Sequence, residues 1–241
     1  MIQKIHIENY KSVQSLDIEL GRLNVFIGAN GCGKTNILEA IALGSAAAAD
    51  RLVHGDLKSR GIRVTEPKAM RTGFNWTDAF ITILVSFENP KGEDISFNIF
   101  ETNDIPANWK ANASGKKIDE IYNNLTSKIS DEVDFRDLED VELVVNTKKV
   151  NVKRNSSNTD TAFKDEVSSA IKSTLIEAYS EKLGIKNFLI FSPEDSFLRR
   201  FEGGSLITPL DIRGEGLFSH LLDLKQKPDI LNQIKETLQF I

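Results

Sequence analysis

The chain has 241 residues, 40% of them hydrophobic and 27% charged, with a formal net charge of -5, a balance that fits one large soluble domain or a domain carrying an insertion. Glu39 interrupts the best apolar run, and the amino terminus MIQKIHIENYKS has no signal-peptide apolar block, so a membrane span is excluded and the cytoplasm is the expected location. The single cysteine, Cys32, excludes an internal disulfide and sits at no metal spacing from a histidine, while the acidic balance excludes a protein that is basic all over, though not a local patch for nucleic acid.

In chain order, Ile2, Ile5 and Ile7 mark a strand, SLDIEL alternates as a second, and RLNVFI reads as a third that ends at Gly28. From Lys34 the pattern is helical, with Ile37, Leu38, Ile41 and Ala42 on a wide apolar face and alanines running to about residue 49. A polar, basic stretch from Arg51 to Thr77 follows. AFITILVSFENPKGEDISFNIFE then predicts two strands joined by a turn at Asn89, Pro90, Lys91 and Gly92. Between Thr102 and Asp160 the signals weaken to a short helix near Ile118–Ile129 and the strand-like VELVVNTKKVNVKR. Phe163, Val167, Ile171, Leu175 and Tyr179 keep helical spacing up to Gly184, NFLIF reads as a buried strand, and two amphipathic helices split at Pro228. The expected division is residues 1–101 as the amino-terminal part of the domain, 102–186 as an inserted helical lobe, and 187–241 as a strand and helices.

Gly28-Ala29-Asn30-Gly31-Cys32-Gly33-Lys34-Thr35 satisfies the phosphate-loop pattern of glycine, four residues, glycine, lysine and a hydroxyl residue. Each position has a chemical reason. Glycines let the backbone curl so that N–H groups point at phosphate oxygens, and the helix that follows offers its unpaired N–H groups and positive dipole end to the same anion. Lys34 brings a full charge to the terminal phosphates, and the Thr35 hydroxyl can enter the shell of a Mg²⁺ ion. ATP and Mg²⁺ are therefore the expected ligands, held by Gly28 through Asn36, with Lys34 as the catalytic cation and Thr35 as the metal ligand.

The stretch IHIENYKSVQSLDIELGRLNVFIGANGCGKTNILEAIAL resembles the start of the ABC-type ATPases of the RecF, structural-maintenance-of-chromosomes and overcoming-lysogenization-defect kind. Asn9-Tyr10-Lys11-Ser12 matches their turn of Asn, aromatic, basic and Ser. FLIFSPEDSFLRR and TPLDIRGEGLFSHLLDLKQ are similar to segments of small AAA-type ATPases of bacterial antiphage systems. The resemblance implies an α/β P-loop NTPase fold with a mixed sheet around the loop, Lys11 and Ser12 beside the nucleotide, and a homodimer closed over ATP. A nuclease or other effector and DNA are the partners it allows.

Hydrolysis in that family needs a strand ending in Asp-Glu and a signature loop from the opposing subunit. Neither is evident here. In FLIFSPED, Ser192 and Pro193 stand where the acid pair belongs and Glu194 and Asp195 come two places late, and FEGGSL only echoes a signature. The expectation is an amino-terminal part of a longer ATPase; the alternative is an interaction module that uses ATP as a structural or dimerisation switch. A GTPase is disfavoured, because Asp211-Ile212-Arg213-Gly214 trails the loop too far and no guanine-reading motif occurs. Lys148, Lys149, Lys153 and Arg154 form a basic cluster, Arg60, Arg63, Lys68 and Arg71 line the polar stretch, and Phe74, Trp76 and Trp109 read as satellite core. His6, His54 and His220 are isolated and carry no assigned role.

Overall fold

The computed structural model describes residues 2–73, 80–88, 94–102, 108–132, 140–145, 148–154, 159–193 and 212–238. Its largest element is a five-stranded sheet in the order β2-β1-β3-β4-β5, with every neighbouring pair antiparallel. The strands are β1 (Ile2–Tyr10), β2 (Val13–Glu19), β3 (Ile81–Phe87), β4 (Asp94–Glu101) and β5 (Trp109–Ser114). Alternation sends Ile5 and Ile7 of β1, Ile81, Ile83, Val85 and Phe87 of β3, and Ile95, Phe97 and Ile99 of β4 into the core. The β3–β4 pair is the expected hairpin, and its turn lies outside the described residues.

Helix α1 (Lys34–Ala48) lies in the core and is buried almost continuously from Glu39 to Ala48. Small side chains allow this. A Cβ on Gly44 would meet Ile83 Cγ2 at 2.9 Å, so α1 approaches β3 as closely as a helix can without displacing the strand. Two short helices, α2 (His54–Ser59) and α3 (Pro67–Met70), occupy the stretch read as polar and basic, anchored by buried Leu57 and Met70. Helix α4 (Lys116–Glu132) extends the expected short helix. Helix α5 (Asp160–Lys182) buries Phe163, Val167, Ile171, Leu175 and Tyr179, and it starts at Thr159, whose hydroxyl accepts from Ala162 N. It ends before Gly184 at φ 72°, a left-handed conformation that glycine adopts freely. Helices α6 (Leu217–Leu224) and α7 (Pro228–Leu238) break at the proline, as the pattern predicts.

Four segments fold differently from the expectation. RLNVFI enters no ladder: the chain bends at Arg22 and Leu23, and Leu23, Val25 and Ile27 are exposed at 85%, 72% and 91%, because no described strand lies beside them to accept their hydrogen bonds. The described sheet is therefore antiparallel, where a mixed sheet around the loop was expected. NFLIF is likewise unladdered: Asn187 ends a 3-10 turn (Ile185–Asn187), Ile190 N donates to Arg60 O, and just beyond it Ser192 N donates to Ile212 O. VELVVNTKKVNVKR is two strands, β6 (Asp140–Val145) and β7 (Lys148–Lys153), paired antiparallel. WKANAS, in the stretch where the strand signals weaken, is β5, whose weak alternation hides a strand that is completed by pairing with β4.

Candidate nucleotide-binding site

The glycine-rich loop opens directly into α1. Gly31 and Gly33 have φ of 84° and 95°, values that a residue with a Cβ adopts only under strain. Gly33 is constrained twice, since a Cβ there would also meet Ser12 Oγ at 2.8 Å. The ammonium of Lys34 curls back over the loop, donating to Gly28 O at 2.6 Å and Ala29 O at 2.8 Å, with Cys32 Sγ 3.7 Å away. Ile37 N donates to Gly33 O; the N–H groups ahead of it belong to the first turn, which a helix leaves without internal acceptors. Ala29, Asn30, Cys32 and Thr35 are exposed, and Asn36 is half-buried.

The second wall of the loop comes from the β1–β2 turn. Asn9 and Lys11 take left-handed φ of 59° and 47°. Asparagine tolerates this; for lysine it costs on the order of 1 kcal/mol. Asn9 is locked by donating to Phe80 O and accepting from Thr72 N. Lys11 is locked by its N–H to Met70 O and by its ammonium, which reaches Glu39 Oε2 at 2.5 Å and Arg63 O at 2.9 Å. The turn thereby presents Ser12, whose hydroxyl accepts from Asn36 Nδ2 at 2.7 Å.

Glu39 is the hub that sequence reasoning missed. Its side chain is fully buried on α1 yet ion-paired on both sides: Oε2 to Lys11, and Oε1 to Arg63 Nε at 2.6 Å. Tyr10 OH donates to Oε2 at 3.4 Å. Burial alone would raise this carboxyl, but hydrogen bonds and charge from Arg63 and Lys11 outweigh it and hold it below the ordinary glutamate range. Burial and the neighbouring Glu39 carboxylate push the Tyr10 phenol far up. Arg63 also donates through Nη2 to Asn36 Oδ1 at 3.0 Å, so Asn36 is gripped at both ends of its amide. A glutamate amid the apolar positions of α1 is the signal that was available; read only as a break in an apolar run, it pointed nowhere.

Of the other basic residues, Arg60 is buried and bonds to Ser45 and to backbone carbonyls, while Arg71 pairs with Glu101 at 3.5 Å. In the β6–β7 cluster, Lys149 pairs with Glu142 at 2.8 Å and Arg154 with Asp160. Trp109 is core, as expected, with its indole N–H buried and, among the described residues, unpartnered. His6 pairs with Asp17 and Glu8. Glu194, Asp195, FEGGSL, Phe74 and Trp76 lie outside the described residues. Among the described residues there is no metal-ligating cluster and no helix long and apolar enough to cross a membrane.

A family model described as an AAA domain matches residues 4–240. The chain is 29% identical over 111 residues to an OLD nuclease of Thermus scotoductus, covering 41% of this chain and 20% of that protein. Over 44 residues it is 50% identical to a DNA double-strand break repair Rad50 ATPase of Methanopyrus kandleri, which is 18% of this chain and 5% of that one. An uncharacterized protein of Methanocaldococcus jannaschii is 46% identical over 44 residues, 18% of this chain and 20% of that protein. The chain spans a fifth or less of the length of each of these relatives.

Proposed function

Because the chain belongs to the AAA-domain family, as an ABC-type ATPase of the RecF, structural-maintenance-of-chromosomes and overcoming-lysogenization-defect kind, we propose that it binds Mg²⁺-ATP at Gly28–Asn36. It closes as a homodimer over the nucleotide and couples hydrolysis to DNA transactions or antiphage defence. One observation carries the reading: the Lys34 ammonium is held over the mouth of the loop by two neutral carbonyls. Neutral carbonyls give the ammonium no counter-charge, and a triphosphate would replace them with ionised oxygens that do.

The residues fit the ligand. Gly33 leaves room that any side chain would fill, and the exposed Thr35 hydroxyl stands in the first turn of α1, where it would hold Mg²⁺. When bound there, the ion neutralises charge on the phosphates. Ser12 and Asn36 shape the wall. Lys11, committed to Glu39 and the Arg63 carbonyl, acts as a positioning residue. The bare row of Leu23, Val25 and Ile27 supports completion of the sheet to the mixed, ABC-like form by a strand laid against residues 22–27, since each such side chain forgoes roughly 1.5–3 kcal/mol by staying in water.

Cys32 reports on occupancy. The thiol is exposed inside the loop, so a maleimide is expected to label it in the nucleotide-free protein and Mg²⁺-ATP to slow the labelling, with GTP protecting less. A labelling rate indifferent to ATP counts against this placement of the triphosphate.

A switch without hydrolysis is the second reading, and one observation favours it: Glu39, the carboxylate of α1, has both oxygens engaged by cations and none to offer a water. Residues 1–241 alone are expected to bind ATP and turn it over at a rate close to background. Robust turnover that Lys34→Ala removes would point to a carboxylate elsewhere, with Glu194 the first to replace by glutamine. In the same preparation, sedimentation that stays monomeric at saturating Mg²⁺-ATP would remove the dimer.

A further inference from the structure

At the end of α1 remote from the loop lies a half-open cavity of about 470 Å³ lined by Ala49, Arg51, Arg60, Glu177, Lys186 and Asn187 among others. Helix α1 has 15 residues, so this cavity is about 20 Å from Lys34 along the helix. Its volume falls within the range of small-ligand sites.

Its charge is unusual. Arg60 is only 9% exposed, and among the described residues no carboxylate pairs with it. Among the described residues, its side-chain hydrogen bonds all leave from Nη1: to Ser45 Oγ at 2.8 Å, Lys186 O at 2.9 Å and Phe188 O at 3.2 Å. That arrangement ties α1 to residues 186–188 and, among the described residues, leaves Nε and Nη2 without a hydrogen bond. Burial lowers the pKa of Arg60; Asp56 offsets this in part, and the nearby charge of Arg51 adds to it. The Arg51 guanidinium itself has no hydrogen bond or ion pair among the described residues, and the Lys186 ammonium is shared with Glu181 at 2.8 Å. Stapling accounts for Nη1 of Arg60. It does not account for Arg51 and Lys186 at the same cavity; the carboxyl-terminal end of α1, at Ala49, and the Glu177 carboxylate offset part of their charge.

We propose that this cavity is a second anion site, which binds a phosphate-bearing ligand through Arg51, Arg60 and Lys186, with Asn187 as a neutral donor. Guanidinium groups suit phosphate because their planar N–H pairs match two oxygens at once. The phosphate has two sources, a free phosphorylated small molecule or a nucleic-acid backbone, and both present the same oxygens to the same cations.

The test uses the whole chain carrying Lys34→Ala, which takes the phosphate loop out of play. Pyrophosphate is titrated by calorimetry, and a fluorescein-labelled single-stranded oligonucleotide by anisotropy. Arg60 is left in place because of its staple, and Arg51→Ala and Lys186→Ala are introduced singly. Binding of at least one probe is expected, about tenfold weaker in each variant and unchanged by Lys225→Ala, which removes the same charge elsewhere. Pyrophosphate alone responding identifies a small-molecule site; the oligonucleotide alone responding identifies a backbone contact. If neither probe binds, or if binding ignores both Arg51→Ala and Lys186→Ala, the proposal is overturned.

Discussion

Lys34→Ala is expected to weaken ATP binding by about two orders of magnitude while the fold persists. The ammonium is the side-chain charge that the loop itself directs at its mouth, and a hydrogen bond from a charged donor is worth about 1.5–3 kcal/mol, or roughly 10- to 150-fold in affinity. The fold survives because Lys34 is not in the core and its present partners are the carbonyls of Gly28 and Ala29, which water can satisfy. Calorimetry with matched circular dichroism spectra reads both halves of this expectation. Equal ATP affinity in the two proteins would sink the assignment of the loop.

Glu39→Ala is expected to be the more damaging change to the fold. It strips the shared counter-ion from Lys11, whose side chain is 14% exposed, and from Arg63, and it leaves the Tyr10 hydroxyl without its acceptor. Removing one partner of a buried pair costs about 3–5 kcal/mol. Arg63 is 67% exposed and can turn to water, so the low end, about 3 kcal/mol, is the expected loss in a urea titration. The same removal frees the Lys11 backbone from its left-handed conformation, lets Ser12 drift from Gly33, and weakens ATP binding without touching the nucleotide. A loss below about 0.5 kcal/mol, the scale of an exposed pair, would show that the hub is not holding the turn.

The pH dependence follows with a definite sign. Glu39 titrates lower in the folded chain than the ordinary value of 4.5, so its contribution is fully present above that value and is lost as pH falls through the lower, folded-state value. Urea midpoints should therefore drop below pH 4.5 in the wild type, and this component of the drop should be missing from Glu39→Gln, which keeps the shape but cannot ionise.

The glycine-rich turn ahead of α1 was legible in the sequence because its geometry is local. Two glycines at positive φ, a lysine and a hydroxyl residue at the mouth of a helix must be adjacent in the chain, since one turn of backbone makes the whole cradle. β1, β2, the β3–β4 pair, α1 and α5 were legible for a related reason: each writes its period of two or of 3.6 over enough residues to be read. What was not legible depends on distant partners. RLNVFI has the alternation of a strand, but a ladder needs a neighbour, and among the described residues none stands beside it. WKANAS lacks a strong pattern and is a strand because β4 offers it hydrogen bonds. Arg60, Arg63 and Arg71 look alike as basic residues in a polar stretch, yet one staples α1 to residues 186–188, one closes the Glu39 hub, and one pairs with Glu101. The sequence by itself determined the glycine-rich turn into α1 and the amphipathic elements, which are properties of consecutive residues. The tertiary structure decided the strand order, the fate of each charge and the burial of Glu39 between Lys11 and Arg63, because burial and ion pairing are set by groups 24 to 28 residues away in the chain and only folding brings them within 3 Å.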